Sequence, residues 1–212
     1  MLLLIDKPKG ITSHDVVDRL RRITGERRIG HAGTLDPNAT GLLIVGVGRE
    51  STKKLGEITK NTTKTYEAEI TLGATSDTDD AEGKILSNKV TKRLSDEDIK
   101  KILRQFEGEQ MQIPPIYSAI KLKGKKAYEL ARKGKEVILE PRKITIHSIK
   151  LDEYNFPMLK ITCEVSSGTY IRALARDIGK SLGTGAYLSE LRRTKIGEFD
   201  IQNAQKLDKI KV

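Results

Sequence analysis

Gly30-His31-Ala32-Gly33-Thr34-Leu35-Asp36-Pro37-Asn38-Ala39-Thr40-Gly41 runs directly into Leu42-Leu43-Ile44-Val45. Glycine takes backbone angles that other residues resist, and proline fixes its own φ and has no amide hydrogen. The twelve residues are therefore expected to form a tightly folded loop with no helix or regular strand through it. The loop holds one imidazole, His31, and one carboxylate, Asp36. Asp36 precedes a proline, which biases it towards an extended or turn backbone. The apolar run that follows reads as a buried strand. A rigid loop feeding a core strand is a good mount for a catalytic group. The same residues also fit an ordinary turn in which Asp36 accepts hydrogen bonds from nearby amides, so the loop alone leaves both readings open.

Upstream, Leu2 to Ile5 reads as a short strand, and a helix is expected over 13–24 with Val16, Leu20 and Ile23 on one face and Gly25 at its end. Downstream, Gly46-Val47-Gly48 lacks the third glycine of a dinucleotide-binding fold, which is excluded. From Thr65 to Leu72 apolar and polar residues alternate, and Tyr66 opens the apolar face as either a core residue or a site residue. Gly73 to Gly83 carries Asp77, Asp79, Asp80 and Glu82 but no bidentate Glu at the twelfth position of a calcium loop, so it is read as a solvated turn. Ser95-Asp96-Glu97-Asp98 is a capping box for a helix that Gly108 stops. Strands are expected over 117–122, 143–151 and 158–165. Ser166 to Thr169 should then cap a helix with Ile171, Leu174, Ala175, Ile178 and Leu182 inward. Tyr170 and Arg172 fall in its first turn, where a cation opposes the helix dipole and calls for an acidic partner or a phosphate. Strands joined by short turns with helices between them indicate an α+β fold with a mixed sheet.

With 39 basic against 29 acidic residues the chain carries a net charge of +10, which favours a polyanionic partner. The excess is concentrated: residues 121–150 hold ten Lys or Arg against three Glu, beside Tyr117 and around Tyr128. Such a stretch is either an RNA-facing surface, with cations for phosphates and aromatics for bases, or a solvated face. No apolar run approaches the roughly 20 residues of a membrane-spanning helix, so the expected location is cytoplasmic, without a membrane partner. The single cysteine, Cys163, excludes an internal disulfide and a four-cysteine zinc site, and its alternating surroundings predict a buried thiol. His14, His31 and His147 show no metal-ligand spacing, so no metal is expected.

Several motifs then fall in one order: Asp6-Lys7-Pro8-x-Gly10-x-Thr12-Ser13, Gly30-His31-x-Gly33-Thr34-Leu35-Asp36-Pro37-x-Ala39-Thr40-Gly41, Lys64-x-Tyr66, Gly73 through Thr78-x-Asp80, Gln112-Ile113-Pro114-Pro115-x-Tyr117-Ser118-Ala119, Ser167-Gly168-Thr169-Tyr170-Ile171-Arg172 and Leu191-Arg192-Arg193. Together they resemble the TruB-type tRNA pseudouridine synthases along nearly the whole chain. The resemblance implies the pseudouridine synthase fold, α+β with a mixed, mostly antiparallel sheet flanked by helices and loops around an active-site cleft. It implies isomerisation of uridine-55 in the tRNA T-loop with no cofactor; the expected partner is the tRNA T-arm and the expected state a monomer. Asp36 matches the catalytic aspartate. His31, Tyr66, Tyr170 and Leu191 match substrate-pocket positions, and Arg172 matches the arginine that pairs with the aspartate.

The residue types suit that chemistry. An aspartate supplies an anion at neutral pH, an arginine fork orients a carboxylate, and an aromatic can stack on the base for about 1–3 kcal/mol. One departure stands out. Relatives commonly carry a further C-terminal RNA-binding domain, whereas this chain ends at Val212, soon after Leu191. The expectation is therefore a single catalytic domain over 1–212 with that RNA-binding domain absent. The competing reading is a non-catalytic RNA-binding or tRNA-folding protein on the same fold.

Overall fold

A run of four consecutive apolar residues needs cover on both faces of its strand, and the structure, a computed structural model describing residues 1–60, 62–90, 94–122 and 124–210, supplies it. The chain forms two compact units. The first comprises Met1–Glu67, Glu164–Ser167 and Glu190–Val212, and the second Ala68–Cys163 and Gly168–Ser189.

In the first unit the strand Thr40–Val47 is the hub. One edge pairs antiparallel with Leu2–Lys7, from Leu2 opposite Gly46 to Lys7 opposite Gly41. The other edge is shared. Ile29–Ala32 pairs antiparallel with residues 44–47, while Arg192 and Arg193 pair in parallel with Thr40 and Gly41. Gln205–Lys206 adds a parallel strand beyond Leu2–Lys7. The sheet is thus mixed, as expected of the α+β class.

Helix α1, Ser13–Thr24, starts at a Thr12–Asp15 capping box and ends at Gly25, whose φ of +69° suits glycine. It packs Val16, Val17 and Leu20 with Ile5, Leu43 and Val45. Helix α2, Arg49–Thr59, sets Leu55 with Ala32, Leu42, Ile44 and Ile196. Successive strand side chains point to opposite faces, so Leu43 and Val45 meet one cluster and Leu42 and Ile44 the other. All four are fully buried. Burial at about 1.5–3 kcal/mol per side chain gives the strand, and the loop that enters it, a rigid base.

The predicted loop is shorter than the quoted stretch. Gly30 and His31 lie in the Ile29–Ala32 strand, and Thr40 and Gly41 open the hub strand. Pairing partners on the neighbouring strand override the local preference of the glycines. Helix α2 had no counterpart in the sequence reading, because Leu55 and Ile58 alone mark its apolar side among lysines, threonines and Gly56.

In the second unit the strands run in the order Lys64–Leu72 (from Ala68 onward), Met158–Val165, Arg142–Asn155 and Gly108–Gln112. Gly108 therefore opens a strand, and helix α3, Asp96–Arg104, ends earlier, at Gln105. The Ser95–Asp98 capping box forms as expected. The expected strand over 117–122 is reduced to Lys121–Leu122, hairpinned to Lys125–Lys126 ahead of the short helix α4, Ala127–Ala131. Pro114 and Pro115 lie in the irregular stretch before it, where prolines cannot donate to a ladder.

Helix α5, Ile171–Leu182, buries Ile171, Ala173, Leu174, Ala175 and Ile178 and ends on Gly183 at φ +73°. Its N-cap is Tyr170, with no side-chain cap, in place of the expected Ser166–Thr169 hydroxyls. Cys163 is buried, and burial pushes its thiol up to about 12, which agrees with an inert core thiol.

Candidate active site

Both neighbours of Asp36 are pinned. The Ser13 hydroxyl donates to the Leu35 carbonyl at 3.1 Å and accepts from the Leu35 amide at 2.9 Å. The Pro37 carbonyl accepts from the Gly10 amide at 2.9 Å and from Lys7 Nζ at 3.1 Å. The Asp36 carbonyl accepts from the Ala39 amide at 3.1 Å, closing a turn with proline in its second position. The bland turn reading is thus correct for the backbone, and the turn holds the Asp36 Cα in place at the head of its side chain.

Two buried cations hold this loop within the first unit, and a third, Lys64, feels the charge of one of them. Lys7 is 0% exposed, and its ammonium donates to the carbonyls of Pro8, Ile11 and Pro37. Burial lowers its pKa to about 8, with the charge of Asp36 pulling in the opposite direction. Arg193 is 1% exposed and ties the two ends of the loop together: Nη2 donates to Gly33 O at 2.7 Å and Nε to Leu42 O at 2.9 Å. The glycines at 33 and 41 follow from this. A Cβ on Gly33 would lie 3.3 Å from Arg193 Nη1, and one on Gly41, at φ +101°, would lie 2.3 Å from Arg193 O. Lys64 donates to Ser167 Oγ at 3.1 Å, and burial, then the Arg193 charge, lowers its pKa to about 8. All three residues stand in the motifs above, yet their burial carries no one-dimensional signal.

The other expected site residues divide between the units. His31, Tyr66 and Leu191 belong to the first, with Asp36. His31 lies on its strand, and burial, then the charges of His14 and Arg193, lowers its pKa and favours the neutral ring. Its Nδ1 is buried and makes no hydrogen bond to the described residues. Tyr66 is buried. Leu191 is held by its carbonyl, which accepts from Thr40 Oγ1 at 3.3 Å. Beside it, Arg192 grips Asp6 with two bonds of 3.0 and 2.9 Å.

Tyr170 and Arg172 belong to the second unit. Arg172 is buried on α5 and has the acidic partner its position required: Nη1 stands 3.5 Å from Asp80 Oδ2. It also donates to Thr78 O and Tyr117 O, each at 3.1 Å. One helical turn on, Arg176 meets Asp79 at 2.9 Å and donates to Ile113 O at 2.9 Å. The solvated-turn reading of Gly73–Gly83 is therefore corrected. Asp79 and Asp80 are only 14% and 16% exposed at their side chains because two arginines four residues apart on α5 draw them inward. Burial raises the Asp79 carboxyl against the pull of Arg176 and Arg172.

The basic stretch also lies in the second unit. Lys126 Nζ and Arg132 Cζ each stand 5.5 Å from the centre of the Tyr128 ring, within cation–π range. Lys123, which belongs to this stretch, lies outside the described residues. Among the described residues no group of three or more His, Cys, Asp or Glu is placed to hold a metal ion, and no helix is long and apolar enough to cross a membrane.

The chain in the crystal structure of a Cbf5-Nop10-Gar1 complex matches this fold with a TM-score of 0.76 at 29% identity, over 98% of the present chain and 52% of its own length. The matching chain in an H/ACA RNP bound to a substrate RNA containing 2′-deoxyuridine gives 0.72 and 27%, over 98% and 51%. The present chain thus spans about half the length of these two. The fold is that of the pseudouridine synthases, which are isomerases.

The family model "TruB family pseudouridylate synthase (N terminal domain)" matches residues 21–171, and "tRNA pseudouridylate synthase B C-terminal domain" matches residues 172–212. The tRNA pseudouridine synthase B of Mycobacterium tuberculosis (strain ATCC 25618 / H37Rv) is 48% identical over 98% of this chain and 70% of its own length. That of Corynebacterium jeikeium (strain K411) is 45% identical over 99% and 70%. The chain belongs to the TruB family of pseudouridylate synthases.

Proposed function

We propose that this protein isomerises uridine to pseudouridine in tRNA, at uridine-55 of the T-loop, with Asp36 as the catalytic carboxylate and no cofactor. The observation that carries the reading is the Asp36 loop, pinned at Leu35, at Pro37 and at both ends by buried groups. The relatives' shared name supplies the tRNA substrate.

In the reaction the bond between C1′ and N1 of the uracil breaks and the base turns. A bond from C1′ to C5 forms, C5 loses its proton to solvent, and N1 gains one. Nothing is oxidised or reduced, so side chains suffice. The target base must first leave the T-loop stack, at a cost of a few kcal/mol. Stacking on Tyr66 offsets part of that cost, at about 1–3 kcal/mol per base. His31, held neutral, and Leu191 bind substrate in the first unit with Asp36, and Tyr170 and Arg172 take the substrate-binding and carboxylate-pairing roles that their motif implies. The protein acts as a cytoplasmic monomer in which one catalytic domain spans residues 1–212, and the basic stretch around Tyr128 holds the T-arm.

Tritium release from C5-labelled uridine in an unmodified tRNA transcript tests the proposal. Wild type should release tritium without any added cofactor. Asp36→Asn should fold and bind tRNA yet release none, since a covalent or acid–base role is worth at least about 100-fold in rate. Release by that variant at the wild-type rate would refute the assignment. No release by wild type at high enzyme concentration would instead favour a non-catalytic RNA-binding protein.

A further inference from the structure

The segment from Gln112 to Tyr117 is laced onto the first half of α5 at three levels. Arg172 and Arg176 hold the Tyr117 and Ile113 carbonyls, and the third contact is of another kind. Gln112, 5% exposed, ends the strand Gly108–Gln112 opposite Arg142. Its side-chain amide reads the backbone of a single residue with both of its polar atoms. Nε2 donates to Tyr170 O at 3.1 Å, and Oε1 accepts from Tyr170 N at 2.9 Å.

Tyr170 is the N-cap of α5, at φ −98° and ψ 112°, where the chain leaves helical geometry and no side-chain cap is made. The helix holds the Tyr170 carbonyl, which also accepts from the Leu174 amide at 3.1 Å, but the Tyr170 amide lies outside the helical ladder, and there Gln112 holds it. A planar amide with two bonds to one residue fixes both position and rotation, which a single bond does not.

We infer that Gln112 is a positioning residue that sets the direction of the Tyr170 side chain, and through it the geometry of the uracil pocket. The inference rests on the proposed function in taking Tyr170 as a pocket residue. A misplacement of about 1 Å at a reacting site costs up to roughly 100-fold in rate, so a buried amide that acts through the Tyr170 backbone can still govern turnover.

The test has two arms. In the first, amide hydrogen exchange of Tyr170 is followed in wild type, Gln112→Met and Gln112→Glu. Methionine keeps the volume but removes both bonds, whereas glutamate keeps the acceptor for Tyr170 N and sets an oxygen against Tyr170 O. Exchange at Tyr170 should accelerate at least about tenfold in the methionine variant and much less in the glutamate one, with the Leu174 amide unchanged. In the second arm, single-turnover tritium release should fall roughly 10- to 100-fold in Gln112→Met with tRNA affinity unchanged. In a Tyr170→Ala background the same change should have no further effect on rate.

Unaltered Tyr170 exchange in Gln112→Met would overturn the inference whatever the activity. So would an unchanged rate, or a rate loss that persists in full after Tyr170→Ala. Failure of both Gln112 variants to fold would assign the residue a purely structural role and overturn it too. Absence of turnover in wild type would count against the proposed reaction, while the exchange arm would still decide whether Gln112 holds Tyr170.

Discussion

Replacing Arg193 by Met removes a side chain that joins the two ends of the Asp36 loop. Its guanidinium donates to Gly33 O at 2.7 Å and Leu42 O at 2.9 Å, and the residue is 1% exposed. Each buried carbonyl left without a donor costs about 1–3 kcal/mol, so the two together cost roughly 2–6 kcal/mol. A small part is offset because the variant no longer buries a cation. The expected net loss is about 2–4 kcal/mol, read by equilibrium urea denaturation with far-UV circular dichroism. Arg193→Lys keeps the charge but not the fork, so it can satisfy one carbonyl and should lose less, about 1–3 kcal/mol. Tritium release should fall further than stability alone explains, because the freed loop lets the Asp36 carboxylate wander. A loss under about 0.5 kcal/mol in the methionine variant, the size of an ordinary surface substitution, would refute the reasoning. So would a lysine variant as damaged as the methionine one.

Lys7 tests the electrostatics. Its pKa falls from 10.5 to about 8 on folding, so the unfolded chain binds more protons in that interval and stability rises with pH across it. The stability difference between wild type and Lys7→Met should therefore shift in favour of wild type from pH 8 to 10.5, and a flat difference would contradict the burial argument. Glycine chemistry gives a paired comparison by urea denaturation. Gly25→Ala, with φ +69° and nothing within 4 Å, should cost about 1–2 kcal/mol. Gly41→Ala, whose Cβ would meet backbone at 2.3 Å, should cost more than about 4 kcal/mol or fail to fold; equal losses would refute the clash. Reversing the charges of Lys125 and Lys126 should weaken tRNA binding and lower the salt-dependence slope by about 0.7–0.9 for each phosphate that is no longer neutralised. An unchanged slope would place the RNA on another face.

Where an element's cause lies within a few residues, the sequence was legible. Thr12 and Asp15, or Ser95 and Asp98, complete their hydrogen bonds inside one turn. Helix α1 and the strand Met158–Val165 fall on the residues expected of them. Pro37 likewise announces the turn that carries Asp36. Legibility failed where a partner distant in the chain decides. Gly30 and His31 become strand because residues 45 and 46 lie opposite. Asp79 and Asp80 look like a solvated acidic turn until Arg176 and Arg172, some 90 residues away, pair with them.

The sequence by itself determined which residues could carry chemistry: one carboxylate before a proline, an imidazole beside it, and aromatics and an arginine in ordered motifs on a basic chain. It also determined the strand beneath the loop, since four apolar residues in succession need cover on both faces. Only the tertiary structure decided that Lys7, Lys64 and Arg193 are interior, and that Gln112 grips Tyr170. Lysine, arginine and glutamine ordinarily seek water, and each is buried here because backbone carbonyls, a hydroxyl or an amide brought from elsewhere in the chain replace the hydrogen bonds it gives up.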